Sequence, residues 1–369
     1  MTSATWDVTN FSDDNYNNTL NWNESTIPGS TDTAFFGTSN QTSVSITTDN
    51  KVGTWMFNKD AENYSVNIGF VALDFYLAGI VINGGSVHIT NSGMLSFFNN
   101  STAGNAVITN THDLFFLDGS TAGNATIFSG DGSLFTNALA FVGDSTAGNA
   151  TITNNRKVVF QERATGGAAT INNNAGGTVD FSQSSGPFGD NKLTVGSIAG
   201  AGTYVLGADQ LKVLSGDVSG AMDDGISPAV GGSLVKVGHS TLTLSGAGNT
   251  YSGGTTLEGG TFDVARLGAA GTGAIAFAGR ATLKVENNAL SSHVFATNPI
   301  DFFAKHDVLD LTGLHFHAGA KATYHKASHH LTVHSGGVTD TLTLLSPHGT
   351  HFETASDHHL GTDVFLMFA

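Results

Sequence analysis

The sequence predicts an all-β chain built as a solenoid of stacked coils. Three observations carry this: a segment repeated at a fixed period, an excess of glycine over charge, and short strands of alternating character. The segment STAGNA stands at 101–106, 120–125 and 145–150, with a decayed copy, ATGGAA, at 164–169, so the starts lie 19, 25 and 19 residues apart. The register extends beyond that segment. Ile89, Ile108, Ile127, Ile152 and Ile171 follow spacings of 19, 19, 25 and 19, and Phe97, Phe116, Phe135 and Phe160 follow 19, 19 and 25, so one repeat carries a six-residue insertion. Of 369 residues, 47 are Gly and only 12% are charged, which favours turn-rich β structure over helix.

Residues 1–60 hold all three Trp (Trp6, Trp22, Trp55) and a polar Asn, Asp and Thr cluster, which reads as a cap or strand segment over an open sheet edge. Residues 61–290 read as the solenoid, with the 19-residue periods at 80–180. Within each period a strand such as Ala125-Thr126-Ile127-Phe128 alternates small or polar with apolar residues, and Gly or Asn marks the corners. A coil of this size cannot bury its own apolar face. Stacking coils at about 4.8 Å sets each Ile and Phe on its counterpart in the next coil, giving a continuous core. Asn91, Asn110, Asn154 and Asn173 keep the same phase, with Ser129 in the third copy, and read as turn ladders that need no ligand. Pro187, Pro228, Pro299 and Pro347 sit in Gly, Ser, Asn or Asp-rich settings and read as loops and boundary candidates.

From Gly231 the run GGSLVKVGHSTLTLSGAGNTYSGGTTLEGGTFDVARLG resembles the autotransporter-associated β-strand repeat of bacterial surface proteins, over 231–286. The elements that carry the resemblance are TLTLSG at 241–246, NTYSGGTT at 249–256 and GGTF at 259–262. Together with SIAGAGTYVLG at 197–207, it covers roughly residues 80–290. The resemblance implies a right-handed parallel β-helix, extracellular or at a bacterial cell surface, in a structural or adhesive role. The pattern departs from that family in leaving too few residues after Glu286 for a translocator barrel. Instead the segment Asp363-Val364-Phe365-Leu366-Met367-Phe368-Ala369 is similar to the C-terminal secretion signal of type I exported proteins. The start has neither a basic region nor an apolar stretch of signal-peptide kind.

Fourteen Lys and Arg against thirty Asp and Glu give a net charge of -16, so nucleic acid is not an expected partner. The absence of Cys removes thiolate sites and cysteine nucleophiles. No apolar run approaches the roughly 18 residues of a membrane-spanning helix. Residues 291–369 form a His-rich β segment that holds twelve of the fifteen His. In a strand, residues i and i+2 share a face, so His315 with His317, and His330 with His334, are the candidate metal ligands, suited to Zn, Ni or Cu. The competing expectation is an exposed, pH-responsive imidazole surface. Asp223-Asp224 reads as a solvated turn, with a bound cation as the alternative; a His-bound transition metal and calcium are the cofactors left open, although the calcium nonapeptide repeat is absent.

No GxSxG, P-loop or HExxH motif occurs. Asp113, Asp118, Glu162 with Arg163, and Asp307 with Asp310 are scattered rather than gathered on one strand face. The expectation is therefore a structural or adhesive solenoid that self-associates, head to tail or laterally, with polysaccharide or a cell surface as the other partner and no catalytic residues. A polysaccharide-active lyase or epimerase and a His-based metal module are the alternatives.

Overall fold

Short alternating strands bury one face only if each finds a partner in the next coil, and the pairing observed follows that logic. In the computed structural model, residues 3–7, 13–130, 138–225 and 231–367 are described, and the chain divides into two units, Met1–Gly196 and Ser197–Ala369. Strands pair in parallel mostly with the next-but-one strand in sequence, so the chain winds in stacked coils, a β-solenoid. Among the described residues the only helical elements are the 3-10 turns Thr19–Asn21 and Asn287–Ala289.

In the first unit one ladder runs through Ala4–Trp6, Thr33–Phe36, Asn50–Phe57, Ala72–Ile82 and Met94–Phe97, and onward to Thr178–Ser184. A second runs from Ser43–Ile46 to Thr170–Asn173. Residues 1–60 thus supply strands in the same parallel ladders, beside an aromatic cluster in which Trp22 meets Trp6 and Tyr16 edge-on at 5.3 and 4.9 Å.

The expected isoleucine ladder is present: Ile108, Ile127, Ile152 and Ile171 pair in register and are fully buried. The phenylalanine ladder differs. It runs Phe75, Phe97, Phe116, Phe141, Phe160, Phe181, with neighbouring rings stacked 4.9 to 5.0 Å apart. Phe135, expected in this ladder, lies outside the described residues, and the six-residue insertion falls between Ile127 and Phe141. The reason is the corner that follows. Each core Phe must sit four residues before its STAGNA-type segment, and Phe141 holds that offset to Ser145 as Phe116 does to Ser120.

That corner is built from its own side chains. Thr102, Thr121 and Thr146 accept, through Oγ1, the N–H of the glycine two residues on, at 2.9, 3.0 and 3.1 Å. Those glycines hold φ near +60°, where a side chain would strain the backbone. At the other corner the buried asparagines bond along the stack, Asn91 Nδ2 to Asn110 Oδ1 at 2.7 Å and Asn154 Nδ2 to Asn173 Oδ1 at 2.8 Å.

In the second unit, Thr241–Leu244, Gly260–Val264, Ala281–Val285 and Val308–Leu311 stack in parallel, so that Leu242, Phe262, Leu283 and Leu309 form one buried row. The chain then turns antiparallel. Lys321–His325, His330–Ser335 and Val338–Leu344 form a meander, and the hairpin Phe352–Ser356 with Thr362–Leu366 lies against the edge at Val308–Leu311. Pro187 and Pro347 lie outside strands and Pro228 outside the described residues. Pro299, read as a loop, instead lies in strand Val294–Asp301, at a bulge between Phe295 and Ile300 where no ladder N–H is needed.

Candidate functional site

The histidine segment was the sequence's nearest approach to a site, and its strands separate the four candidates. His330 and His334 share the exposed face of His330–Ser335, opposite the buried Leu331 and Val333. His330 stands across from His325 and Thr343, and His334 from Lys321 and Thr339, with Nδ1 2.9 Å from Thr339 Oγ1. His315 and His317 are not on a strand. They lie in an irregular segment that Leu314 anchors in the core and Ser335 ties down, its Oγ donating to His315 O at 2.6 Å and accepting from His317 N at 2.9 Å. The His317 ring packs against Gly336, whose φ of +57° strains any other residue. Among the described residues, no three His, Asp or Glu side chains come together as a metal site.

A feature without a sequence signal lies across the same sheet. Asp263, Lys284, Asp310 and Asp363 face one another on four adjacent strands. Lys284 reaches Asp263 at 3.0 Å and Glu286 at 2.7 Å, which leaves Asp310 directly opposite Asp363 with no neutralising partner between them. Burial, followed by the charges of Asp363 and Asp357, pushes the Asp310 carboxyl up to about 6, and its buried Oδ1 has no hydrogen-bond partner. Asp363 is likewise raised, by burial and by Asp357. Strand pairing over fifty residues of separation creates this row, so spacing along the chain cannot show it.

Three further buried polar groups were not anticipated. Burial alone pushes Asp209 up to about 7, and its Oδ2 is unpartnered. Lys236 is fully buried, donates to Val237 O at 2.7 Å and Gly259 O at 3.2 Å, and is lowered by burial. Asp340, raised by burial, meets His293 Nδ1 at 2.8 Å.

Two of the scattered acids, Asp118 and Asp307, and the neighbouring Asp144 have structural duties. Asp118 accepts the Asn99 N–H of the preceding coil at 2.9 Å, Asp144 pairs with Arg163 at 3.1 Å, and Asp307 accepts the Ala304 N–H at 2.8 Å. Asp224, read as part of a solvated turn, is buried, and its carboxylate accepts the Ser252 hydroxyl at 2.6 Å and the N–H groups of Ser252 and Gly231. Asn249 and Tyr251 of the NTYSGGTT run hold the corner in the same way: Asn249 bonds Met222 N and Ala269 O, and the buried Tyr251 hydroxyl meets Thr255 at 2.8 Å.

The family model of the passenger-associated-transport-repeat matches residues 234–264, which take in buried Lys236, the first two strands of the Leu242 row and the Asn249–Tyr251 corner. Neither the curated proteins nor the solved structures contain a match to this chain. The matched repeat and the stacked parallel coils fit the β-helix repeats of autotransporter passengers, and the repeat points to a secreted or surface protein. Among the described residues, no helix is long and apolar enough to cross a membrane.

Proposed function

We propose that this chain is an exported bacterial surface or matrix protein whose β-solenoid works by shape and self-association rather than by chemistry. The observation that carries the reading is the matched passenger repeat embedded in stacked parallel coils. Regular outward rows support association. Asn105, Asn124 and Asn149 bond side chain to side chain on the exposed surface at 3.0 Å, and Thr102, Thr121, Thr146 and Thr165 bridge in a parallel line. Such rows are flat, polar and sparse in charge, so two copies meet with little like-charge repulsion.

A non-catalytic role is likewise our reading, supported by the structural duties of Asp118, Asp144, Asp224 and Asp307. The test is light scattering of tag-free protein over a concentration series at neutral and acidic pH. Mass rising with concentration is expected; a strictly monomeric species throughout refutes self-association. Release of reducing or unsaturated sugars from acidic polysaccharides would replace the reading with an enzymatic one.

A further inference from the structure

The parallel registers of the second unit assemble a cationic corner on an acidic chain. Thr241 pairs with Thr261, Thr261 with Thr282, and Thr282 with Val308. Two residues earlier in each coil stand His239, Gly259, Arg280 and His306, one above another, with Lys305 beside His306. His239, Arg280, Lys305 and His306 are all exposed. Two carboxylates of this region are engaged: Glu258 reaches Lys212 at 3.1 Å, and Asp307 is buried, accepting backbone N–H groups at 2.8 and 3.4 Å.

Arg280 separates two clefts and lines both. One, of about 250 Å³, is lined by His239, Gly260 and His306. The other, of about 410 Å³, is lined by Lys305, His348 and Phe302. Phe302 is 49% exposed, an apolar surface set beside the cations. Desolvation, and then the charges of Arg280 and Lys305, hold the His306 imidazole below its usual range, which favours its neutral form.

We propose that the Arg280 corner is a binding site for an acidic oligosaccharide. Its carboxylate meets Arg280, the flanking histidines offer hydrogen bonds to its polar groups, and an apolar sugar face rests on Phe302. A guanidinium matches a carboxylate through two parallel hydrogen bonds, which favours Arg280 as the anchor. The net charge of -16 does not forbid this, because charges more than about 8 Å away are largely screened at physiological salt. The concave, divided surface suits a chain of small rings better than the flat face of a second copy. The proposal rests on the surface or matrix reading for the source of the ligand and adds a ligand class to it.

Calorimetry on the full chain with hexagalacturonate, neutral maltohexaose and inorganic phosphate tests it. Saturable binding of hexagalacturonate alone is expected, weakened about tenfold or more by Arg280→Ala and by Phe302→Ala and unchanged by Lys192→Ala in the other unit. All three side chains are exposed or line an open cleft, and unchanged circular dichroism confirms folding. No saturable uptake, phosphate binding as tight as hexagalacturonate, or indifference to Arg280→Ala would each overturn the proposal. Loss of self-association in Arg280→Ala without glycan binding would reassign the corner to a second copy. Light scattering on the same samples separates the two claims, because assembly without glycan binding sinks this site alone, and glycan binding without assembly sinks self-association alone.

Discussion

Neutralising Asp363 should stabilise the second unit at neutral pH and do little in acid. Asp310 and Asp363 are directly opposed across the antiparallel pair that seats Thr362–Leu366 on Val308–Leu311, and like charges so placed repel. The Asp310 carboxyl, raised to about 6, takes up its proton more readily folded than unfolded. Its contribution is therefore complete below pH about 4 and is lost as pH rises through about 6. That hundredfold difference in proton affinity corresponds to about 2.7 kcal/mol by linkage. Burial is the larger cause and survives the substitution, and solvent screens a half-buried carboxylate, so Asp363→Asn recovers about 1 kcal/mol at pH 7.5. Thermal unfolding should show a midpoint about 2–4 °C higher than the parent at pH 7.5, converging by pH 4.5. Hydrogen exchange at the amides of 362–366 should slow in parallel. An equal gain at both pH values, or no gain at 7.5, would refute the reasoning.

Three other substitutions probe the core. Asp209→Asn removes a buried carboxyl whose pKa is raised to about 7, so the variant should gain on the order of 2 kcal/mol at pH 8 and lose that advantage below pH 4, read by denaturant titration at both. Phe116→Ala interrupts the ring stack between Phe97 and Phe141 and should cost about 3–5 kcal/mol by denaturant unfolding. Asn154→Ala withdraws the donor to Asn173 Oδ1 and Thr178 O and the acceptor for Arg156 N–H, and should cost about 1–3 kcal/mol in the same assay.

The ladders were legible because stacking converts a chain period into contact. Ile89 through Ile171 and Asn91 through Asn173 needed only counting. The phenylalanine register needed one more rule: counting forward from Phe116 selects Phe135, whereas counting back from the Ser145 corner selects Phe141. The corner governs, because its Thr and Gly geometry is fixed and the insertion can be absorbed before the strand. The histidine face was half legible. His330 and His334 obey strand alternation, but the buried Leu314 and the Ser335 clamp turn His315 and His317 into a loop. The Asp310 row and the Arg280 corner depend on which coil lies over which, through loops of unequal length, so no spacing rule reveals them.

Electron microscopy of tag-free protein at pH 7.5 and pH 5.5 tests the proposed self-association most directly. Ordered filaments or sheets, with an axial repeat near a multiple of about 4.8 Å, are the predicted result. Dispersed single particles at both pH values and at high concentration would contradict it and leave ligand binding as the function to pursue.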